Sequence, residues 1–211
     1  MKKLFLSLIV LMLTVCVVFP VTTSYASETV YVLDSCDNAS NCVTSKIADT
    51  SNYVEGSGCV YTNNEAGRIT FEFRNIDYDA LPRYSSAYLE FYYYVEDVSN
   101  ISAGQIELTS SGYEDVNELN YDIGVNSGFK KGWNFVSIKL SSMNNNGFSY
   151  NKLYGFRIFM LPARKDSFFV CRVDNIVISS VSHKEEVERN GIISYSKEKL
   201  KLQQKISDDA V

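Results

Sequence analysis

The chain is poor in histidine, tryptophan and proline: its 211 residues include one histidine, one tryptophan and three prolines. The histidine, His183, lies near the C-terminal end, so residues 27–180 have no base for a Ser–His–Asp or Cys–His arrangement. The absence of any Cys-x-x-Cys motif argues against a structural zinc site. No glycine-rich loop follows a predicted strand and opens a helix, so nucleotide chemistry is not indicated.

The first 26 residues are typical of a secretory signal peptide. Lys2 and Lys3 precede an apolar run from Leu4 to Val21, and Ser24-Tyr25-Ala26 follows it. A basic start, an apolar centre and small residues at the cut are the features of such peptides, and we expect cleavage after Ala26. The alternative is an uncleaved membrane anchor, because the apolar run approaches the roughly 17 to 20 residues that span a bilayer.

The rest of the chain is acidic. Without residues 1–26 it has 18 basic and 25 acidic residues, a net charge of −7. Residues 181–211 contain six of each sign, so the excess of acid lies in residues 27–180. That charge argues against nucleic acid or an anionic membrane surface as a partner. A segment of about 150 residues can bury the core of one domain.

Short alternating segments predict β-strands through most of residues 27–180. Nine segments rich in β-branched and aromatic residues are separated by polar turns: Glu28–Leu33, Cys59–Tyr61, Arg68–Phe73, Ser86–Glu96, Gln105–Ser110, Tyr121–Val125, Phe135–Leu140, Tyr154–Leu161 and Phe168–Ser179. The last three follow one another without a helix, and we expect them to form antiparallel sheet. Many short strands and little helix predict an all-β fold, an antiparallel β-sandwich or jelly roll.

Residues Ser86–Glu96 show the clearest alternation. One face predicts core and carries Ala87, Leu89, Phe91, Tyr93 and Val95. The other face is aromatic and acidic and carries Tyr88, Glu90, Tyr92, Tyr94 and Glu96. Water, a ligand or another layer of protein must cover this second face.

Four cysteines remain after signal-peptide removal: Cys36, Cys42, Cys59 and Cys171. An even number in a secreted chain favours disulfide bonds, and four cysteines allow three pairings. We expect the first and last strands to be neighbours. That expectation favours the pairing of Cys36 with Cys171 and of Cys42 with Cys59, although the sequence leaves the other two pairings open.

Residues 181–211 form a tail of different composition. Lys184 to Arg189 is charged, Asn190-Gly191 predicts a turn, and Ser196 to Ile206 contains helix-forming residues. A helix of this length is weak in water unless it packs against something. We interpret the segment as a solvated extension, or alternatively as a segment for docking or self-association.

Several segments in order carry a resemblance to a known family. They are Val32–Asp37, Gln105–Gly112, Lys131–Val136, Phe156–Ile158 and Val173–Ile176. Together they resemble the galactose-binding-like β-jelly-roll domains of secreted bacterial glycan-active proteins, which include several families of carbohydrate-binding modules. The resemblance covers about residues 30–180, and its motifs are structural rather than ligand-specific. A concanavalin-like sandwich is the rival, since it also has a Gly-Trp-x-x-Val strand and a late Asp-x-Val/Ile strand.

The resemblance implies glycan binding without catalysis and a structural calcium ion. Aromatic rings stack on the apolar faces of sugars while polar neighbours bind the hydroxyls. The candidate ligand-binding residues are Tyr88, Glu90, Tyr92, Tyr94, Trp133 and Arg157. Arg157 is expected to bind a ligand or to pair with Glu90. An alternative binding site lies in a loop and comprises Tyr113, Glu114, Asp115 and Asn117 near Trp133.

Calcium needs several oxygen ligands. Asp34 and Asp37 follow the first predicted strand, and Asp174 with Asn175 lies on the last. If those strands are neighbours, the oxygens could converge on one ion. The alternative is that these side chains cap turns.

The sequence therefore favours a signal peptide over residues 1–26, a glycan-binding β-sandwich over 27–180 and a partly helical tail over 181–211. The first alternative is a structural or adhesive sandwich that binds a protein partner. A second alternative is a glycoside hydrolase or lyase that uses two carboxylates. Its candidate residues are Glu90, Glu107, Glu114 and Asp115, and no spacing selects a pair among them.

Overall fold

The alternating segments form two antiparallel sheets. The computed structural model describes residues 28–44, 47–64, 67–112, 115–125, 128–165, 167–193, 196–197, 199 and 201. Their strands are β1 (Val30–Asp34), β2 (Ile47–Asp49), β3 (Cys59–Asn64), β4 (Ile69–Glu72), β5 (Tyr88–Val95), β6 (Ile101–Thr109), β7 (Glu118–Gly124), β8 (Gly132–Lys139), β9 (Asn144–Asn146), β10 (Gly155–Pro162) and β11 (Phe169–Ser179). The helices are α1 (Lys184–Asn190) and the 3₁₀ turns Tyr84–Ser86, Val98–Asn100, Leu140–Ser142 and Tyr150–Lys152.

The first sheet has the order β2-β3-β11-β5-β8, with β1 also paired to β11, and the second has the order β4-β10-β6-β7-β9. The predicted all-β sandwich of antiparallel strands is therefore confirmed, as is the expected pairing of the first and last strands. Val32 of β1 lies opposite Val177 of β11. The predicted signal peptide and most of the predicted helix Ser196–Ile206 lie outside the described residues.

The expectation that the last three predicted strands form one sheet is wrong. The strands β8 and β11 belong to the first sheet, where β5 lies between them, and β10 belongs to the second sheet. The chain crosses between the layers, so that both sheets can bury their inner faces in one core. Two three-residue strands, β2 and β9, were not predicted, because short polar segments such as Asn144–Asn146 have no apolar alternation.

The core lies between the two sheets. The predicted inner face of β5 is confirmed, since Ala87, Leu89, Phe91 and Tyr93 are all fully buried. The ring of Phe91 meets that of Phe156 from the second sheet edge-on, with ring centroids 5.1 Å apart. No helix among the described residues is long and apolar enough to cross a membrane.

The four cysteines among the described residues are buried, and none of them forms a disulfide in the structure. Asp34 pairs with Ile176, so Cys36 lies near that end of β11, whereas Cys171 is five residues further along the strand. Five residues of strand span roughly 16 Å, well beyond the reach of a disulfide.

Cys42 and Cys59 are separated in a different way. The backbone of Cys42 pairs with that of Phe71 in the second sheet, whereas Cys59 is in β3 of the first sheet. The expected bond between Cys42 and Cys59 does not form in the structure. Burial raises the pKa of the Cys59 and Cys171 thiols to about 12. The cysteines therefore pack as small apolar side chains and do not crosslink the domain.

Candidate functional site

The aromatic face predicted on β5 lies beneath other parts of the chain. Glu90 and Tyr92 are each 1% exposed, and Tyr88, Tyr94 and Trp133 are half-buried. Two segments make contacts across this outer face of the first sheet: the loop that contains Asn52 and Glu55, and the C-terminal segment that begins at Ser182. A ligand therefore has no access to Glu90 or Tyr92 in this structure.

Glu90 is held by the start of the C-terminal segment. Its Oε1 accepts hydrogen bonds from the Ser137 hydroxyl at 2.7 Å and from the His183 backbone N–H at 2.9 Å. Its Oε2 lies 2.6 Å from Nδ1 of His183, whose Nε2 lies 2.6 Å from Oε1 of Glu28. Burial lowers the pKa of His183, but the hydrogen bonds and charges of Glu90 and Glu28 outweigh it and raise that pKa. His183, at the described start of the C-terminal segment, thus packs on the sandwich.

The aromatic rings of this face contact the loop that precedes β3. The Tyr92 hydroxyl donates to Oε1 of Glu55 at 2.9 Å, and the indole N–H of Trp133 donates to Oδ1 of Asn52 at 2.9 Å. Trp133 also meets Tyr94 edge-on, with ring centroids 5.5 Å apart. These side chains form a second packed layer, the alternative that the sequence left open.

The predicted calcium ligands are engaged in turns. The two carboxylate oxygens of Asp34 accept from the Cys36 N–H at 2.7 Å and from the Asn41 amide at 2.8 Å. Asp37 accepts from the Ser57 hydroxyl at 3.0 Å. Among the described residues, Asp34, Asp37 and Asp174 do not form a group of converging ligand atoms.

Asp174 closes the loop over the first sheet. Its Oδ2 accepts from the Val54 N–H at 2.7 Å and from the Glu55 N–H at 2.9 Å. A register irregularity in β11 and a positive φ of 48° at Asn175 accompany these contacts. The neighbouring Asn175 donates its amide to Oε2 of Glu55 at 2.7 Å. The acids at these positions accept hydrogen bonds from turns in this structure, and the prediction that they bind calcium together stays a prediction.

The outer face of the second sheet carries a different set of side chains. We call it the Arg157 face and define it by eleven of the outward-facing positions of β4, β10, β6 and β7: Thr70, Glu72, Gly155, Arg157, Phe159, Gln105, Glu107, Thr109, Glu118, Asn120 and Asp122. Arg157 is central because it pairs with Thr70 on one side and with Glu107 on the other. The face combines carboxylates, amides, hydroxyls, one guanidinium and one aromatic ring.

Arg157 is 5% exposed and lies between acidic partners. Its Nε donates to Oε2 of Glu107, and its Nη2 donates to Oδ1 of Asp115 at 2.8 Å. Its guanidinium carbon lies 5.6 Å from the ring centroid of Phe159. The prediction that Arg157 pairs with Glu90 is wrong, because the two residues lie on the outer faces of opposite sheets.

The loop site predicted near Trp133 is also not where the sequence placed it. Asp115 contacts Arg157 on the second sheet, whereas Trp133 is on the outer face of the first. Asn117 is exposed at the β6–β7 connection, where its backbone carbonyl accepts from the Ser110 N–H at 2.9 Å. Tyr113 and Glu114 lie outside the described residues.

Three carboxylates converge beside Arg157. Ligand oxygens of Glu107, Asp115 and Glu118 lie within 4.8 Å of one another. Burial raises the pKa of Glu107, and the charges of Glu118 and Asp115 add to that rise while Arg157 opposes it. Such a donor set could hold a hard cation such as Ca²⁺, although the guanidinium already engages two of its three members. Glu118 was missed from the sequence, because the strand was predicted to begin only at Tyr121.

A small cavity of about 50 Å³ opens on this face beside the carboxylates. Gly155 lies between Tyr154 and Phe156, which line the cavity, and a Cβ at that position would come within 2.6 Å of the Phe71 carbonyl oxygen. Tyr154 is 36% exposed and lines the same cavity. The Arg157 face thus has aromatic rings on both sides of a polar centre, with Tyr154 on one and Phe159 on the other.

No family model matches the chain, and no curated protein matches it. Its structure is similar to a family 11 carbohydrate-binding module from Clostridium thermocellum, solved with a β-1,3-1,4-mixed-linked tetrasaccharide (10% identity, 72% of this chain and 96% of that chain covered, TM-score 0.49). It is also similar to a family 30 module of a cellulosomal cellulase from the same organism (20%, 63% and 80%, TM-score 0.43). A third similar structure is the protein SGBP-B from a xyloglucan utilization locus in Bacteroides uniformis (14%, 70% and 49%, TM-score 0.45). At these identities and TM-scores, the similarities assign no ligand to this chain.

Proposed function

We propose that this chain is a secreted, non-catalytic glycan-binding domain and that it binds through the Arg157 face. One observation carries the proposal: between two accessible aromatic rings, this face has half-buried polar side chains around a buried guanidinium and its carboxylates. The corresponding face of the first sheet is packed beneath its own chain. Secretion is proposed from the signal-peptide pattern of residues 1–26.

The chemistry of the Arg157 face suits a sugar chain. The rings of Tyr154 and Phe159 can stack on the apolar C–H faces of neighbouring sugar units. The hydroxyl groups of a sugar both donate and accept hydrogen bonds, so carboxylates such as Glu72 and amides such as Gln105 and Asn120 can fix their positions. Arg157 is immobilised by its acidic partners, which lowers the entropic cost of presenting it to a ligand.

A protein partner is the second candidate, and one observation favours it. Among the described residues, the edge strand β8 pairs only with β5. A groove of about 500 Å³ runs beside β8 and is lined by Tyr121, Phe129, Trp133 and Ile192. An edge strand beside a groove of mixed apolar and polar lining suits the addition of an extended peptide.

The test compares two aromatic variants on a glycan array. We expect the purified protein to bind one class of polysaccharide. Phe159→Ala and Tyr154→Ala should each weaken that binding about tenfold, the loss of roughly 1.4 kcal/mol of stacking. Phe168→Ala is the matched control, since Phe168 is 58% exposed and lies outside the Arg157 face. Binding that survives both face variants but is lost in Phe168→Ala would contradict the proposal, and so would a folded protein that binds no glycan.

A further inference from the structure

Glu107 has a carboxylate oxygen that accepts no hydrogen bond from the described residues. The residue is 2% exposed, and its Oε2 accepts from Arg157. Its Oε1 is shielded from bulk water and has no hydrogen-bond partner among the described residues. A buried acceptor without a donor costs stability, by about 1–3 kcal/mol and more when it is charged. Such an atom is an available acceptor for a donor that arrives with a ligand.

The surroundings of this oxygen are acidic. Glu72, Glu107 and Glu118 line the cavity on the Arg157 face, and Asp115 lies beside them. Arg157 is the cationic side chain that lines the same cavity. Four carboxylates around one guanidinium favour a cation over a neutral group and repel an anion.

The cavity is small. Its volume of about 50 Å³ exceeds the roughly 30 Å³ that one water molecule occupies in the liquid, so it fits one small polar group and not a sugar ring. A hydroxyl can donate one hydrogen bond and carries no charge. An ammonium group carries a positive charge and donates up to three hydrogen bonds, which matches several convergent carboxylate oxygens.

We propose that this cavity takes the protonated amino group of a sugar, so that the preferred ligand is a glycan containing hexosamine units without N-acetyl groups. The inference rests on the proposed function and names the ligand class of the same face. An acetylated amine is neutral and bulkier, and therefore fits the cavity less well. A uronic acid brings a carboxylate to an acidic surface and is repelled.

The experiment compares two oligosaccharides of equal length and linkage, one of glucosamine and one of N-acetylglucosamine. Each is titrated calorimetrically into the purified protein at a pH where the amine is protonated. We expect the glucosamine oligomer to bind at least about tenfold more tightly, with a preference that weakens as salt is added. Glu107→Gln and Glu118→Gln should each remove most of this preference. Asp79→Asn is the charge-matched control, since it removes an exposed carboxylate that lies outside the Arg157 face.

The outcomes separate this inference from the proposed function. Equal binding of both oligomers, lost in Phe159→Ala, would overturn the amino-group inference and leave glycan binding intact. A preference that persists in both cavity variants would also overturn it. A further arm titrates CaCl₂ alone: binding of Ca²⁺ that depends on Glu107 and Glu118, without a preference for glucosamine, would make the cavity a metal site and overturn the inference. Binding of neither oligomer nor of any neutral glycan would remove the proposed function as well.

Discussion

Asp174 shows how one buried carboxyl shapes the response of this protein to pH. It is fully buried on β11, and its Oδ1 has no hydrogen-bond partner among the described residues. Burial raises the pKa of Asp174 to about 7. The backbone N–H groups of Glu55 and Val54 oppose that rise, whereas the charges of Glu55 and Asp37 increase it. The folded state therefore favours the protonated form of this side chain.

The sign of the effect follows from the unfolded pKa of an aspartic acid, which is about 3.9. A pKa raised by folding gives stability that is fully present below that value and is lost as the pH rises towards 7. Asp174→Asn keeps an oxygen for the two backbone donors and cannot ionise. We expect its free energy of unfolding, measured by urea denaturation, to vary less than that of the wild type between pH 4 and pH 8. At pH 8 it should exceed the wild-type value by on the order of 2 kcal/mol.

Asp49→Asn is the control, because folding shifts the pKa of Asp49 in the opposite direction from that of Asp174. The pKa of Asp49 is lowered to about 2, first by the side chain and backbone of Ser51 and further by Arg172. Its carboxylate therefore stabilises the fold at neutral pH, and Asp49→Asn should be less stable than the wild type at pH 7. If the free energy of unfolding of Asp174→Asn varied with pH as steeply as that of the wild type, the raised pKa of Asp174 would be contradicted.

The C-terminal segment is an element whose stability comes from its contacts. The helix α1 has seven residues, too few to be stable alone in water. Val187 on its buried side is 3% exposed, and His183 immediately before it is held between Glu90 and Glu28. A histidine that bridges two carboxylates fixes the place where the chain leaves β11.

A double-mutant cycle on His183 and Glu90 measures this attachment. His183→Leu leaves a buried carboxylate without its charged partner, and we expect it to cost about 3 kcal/mol of unfolding free energy at pH 6. Glu90→Gln should cost less, and the double variant should recover part of the loss. Because the folded pKa of His183 is raised, the coupling should be full below about pH 6.5 and decline as the pH rises through the folded pKa. A coupling near zero at pH 6 would show that the ion pair does not hold the segment.

Sequence alternation predicted the strands because the two-residue period of a strand is a local property. It identified nine of the eleven described strands and the buried side of β5. It could not assign strands to sheets, since β8, β10 and β11 follow one another along the chain but are divided between the layers. It also could not show what covers Tyr92 and Glu90, because their partners Glu55 and His183 are 37 and 93 residues away.

The candidate site was predictable only in part. Arg157 was singled out as a charge within an aromatic strand, and Glu107 and Asp115 were named as available carboxylates. Their grouping depends on the register between β10 and β6, which places Arg157 opposite Glu107. Glu118 joins them through the pairing of β7 with β6, and no local pattern marks that position.

At the scale of the whole molecule, the two outer faces of the sandwich differ in whether other parts of the chain cover them. The first sheet carries an aromatic layer that the loop before β3 and the C-terminal segment cover. The second sheet holds the buried Arg157 and its carboxylates beneath the more accessible rings of Tyr154 and Phe159. We therefore propose that a ligand binds the sheet that contains β10 and that the outer face of the sheet that contains β5 has a structural role.

The most direct measurement is a map of backbone amide chemical shifts during titration with the best glycan from the array. We expect the largest changes in Gly155–Phe159 of β10 and Gln105–Thr109 of β6, with Tyr88–Val95 of β5 and Gly132–Lys139 of β8 little affected. The same titration of Phe159→Ala should show smaller changes at equal ligand concentration. Shifts concentrated in β5 and β8, with β10 and β6 unchanged, would place the ligand on the first sheet and contradict the account.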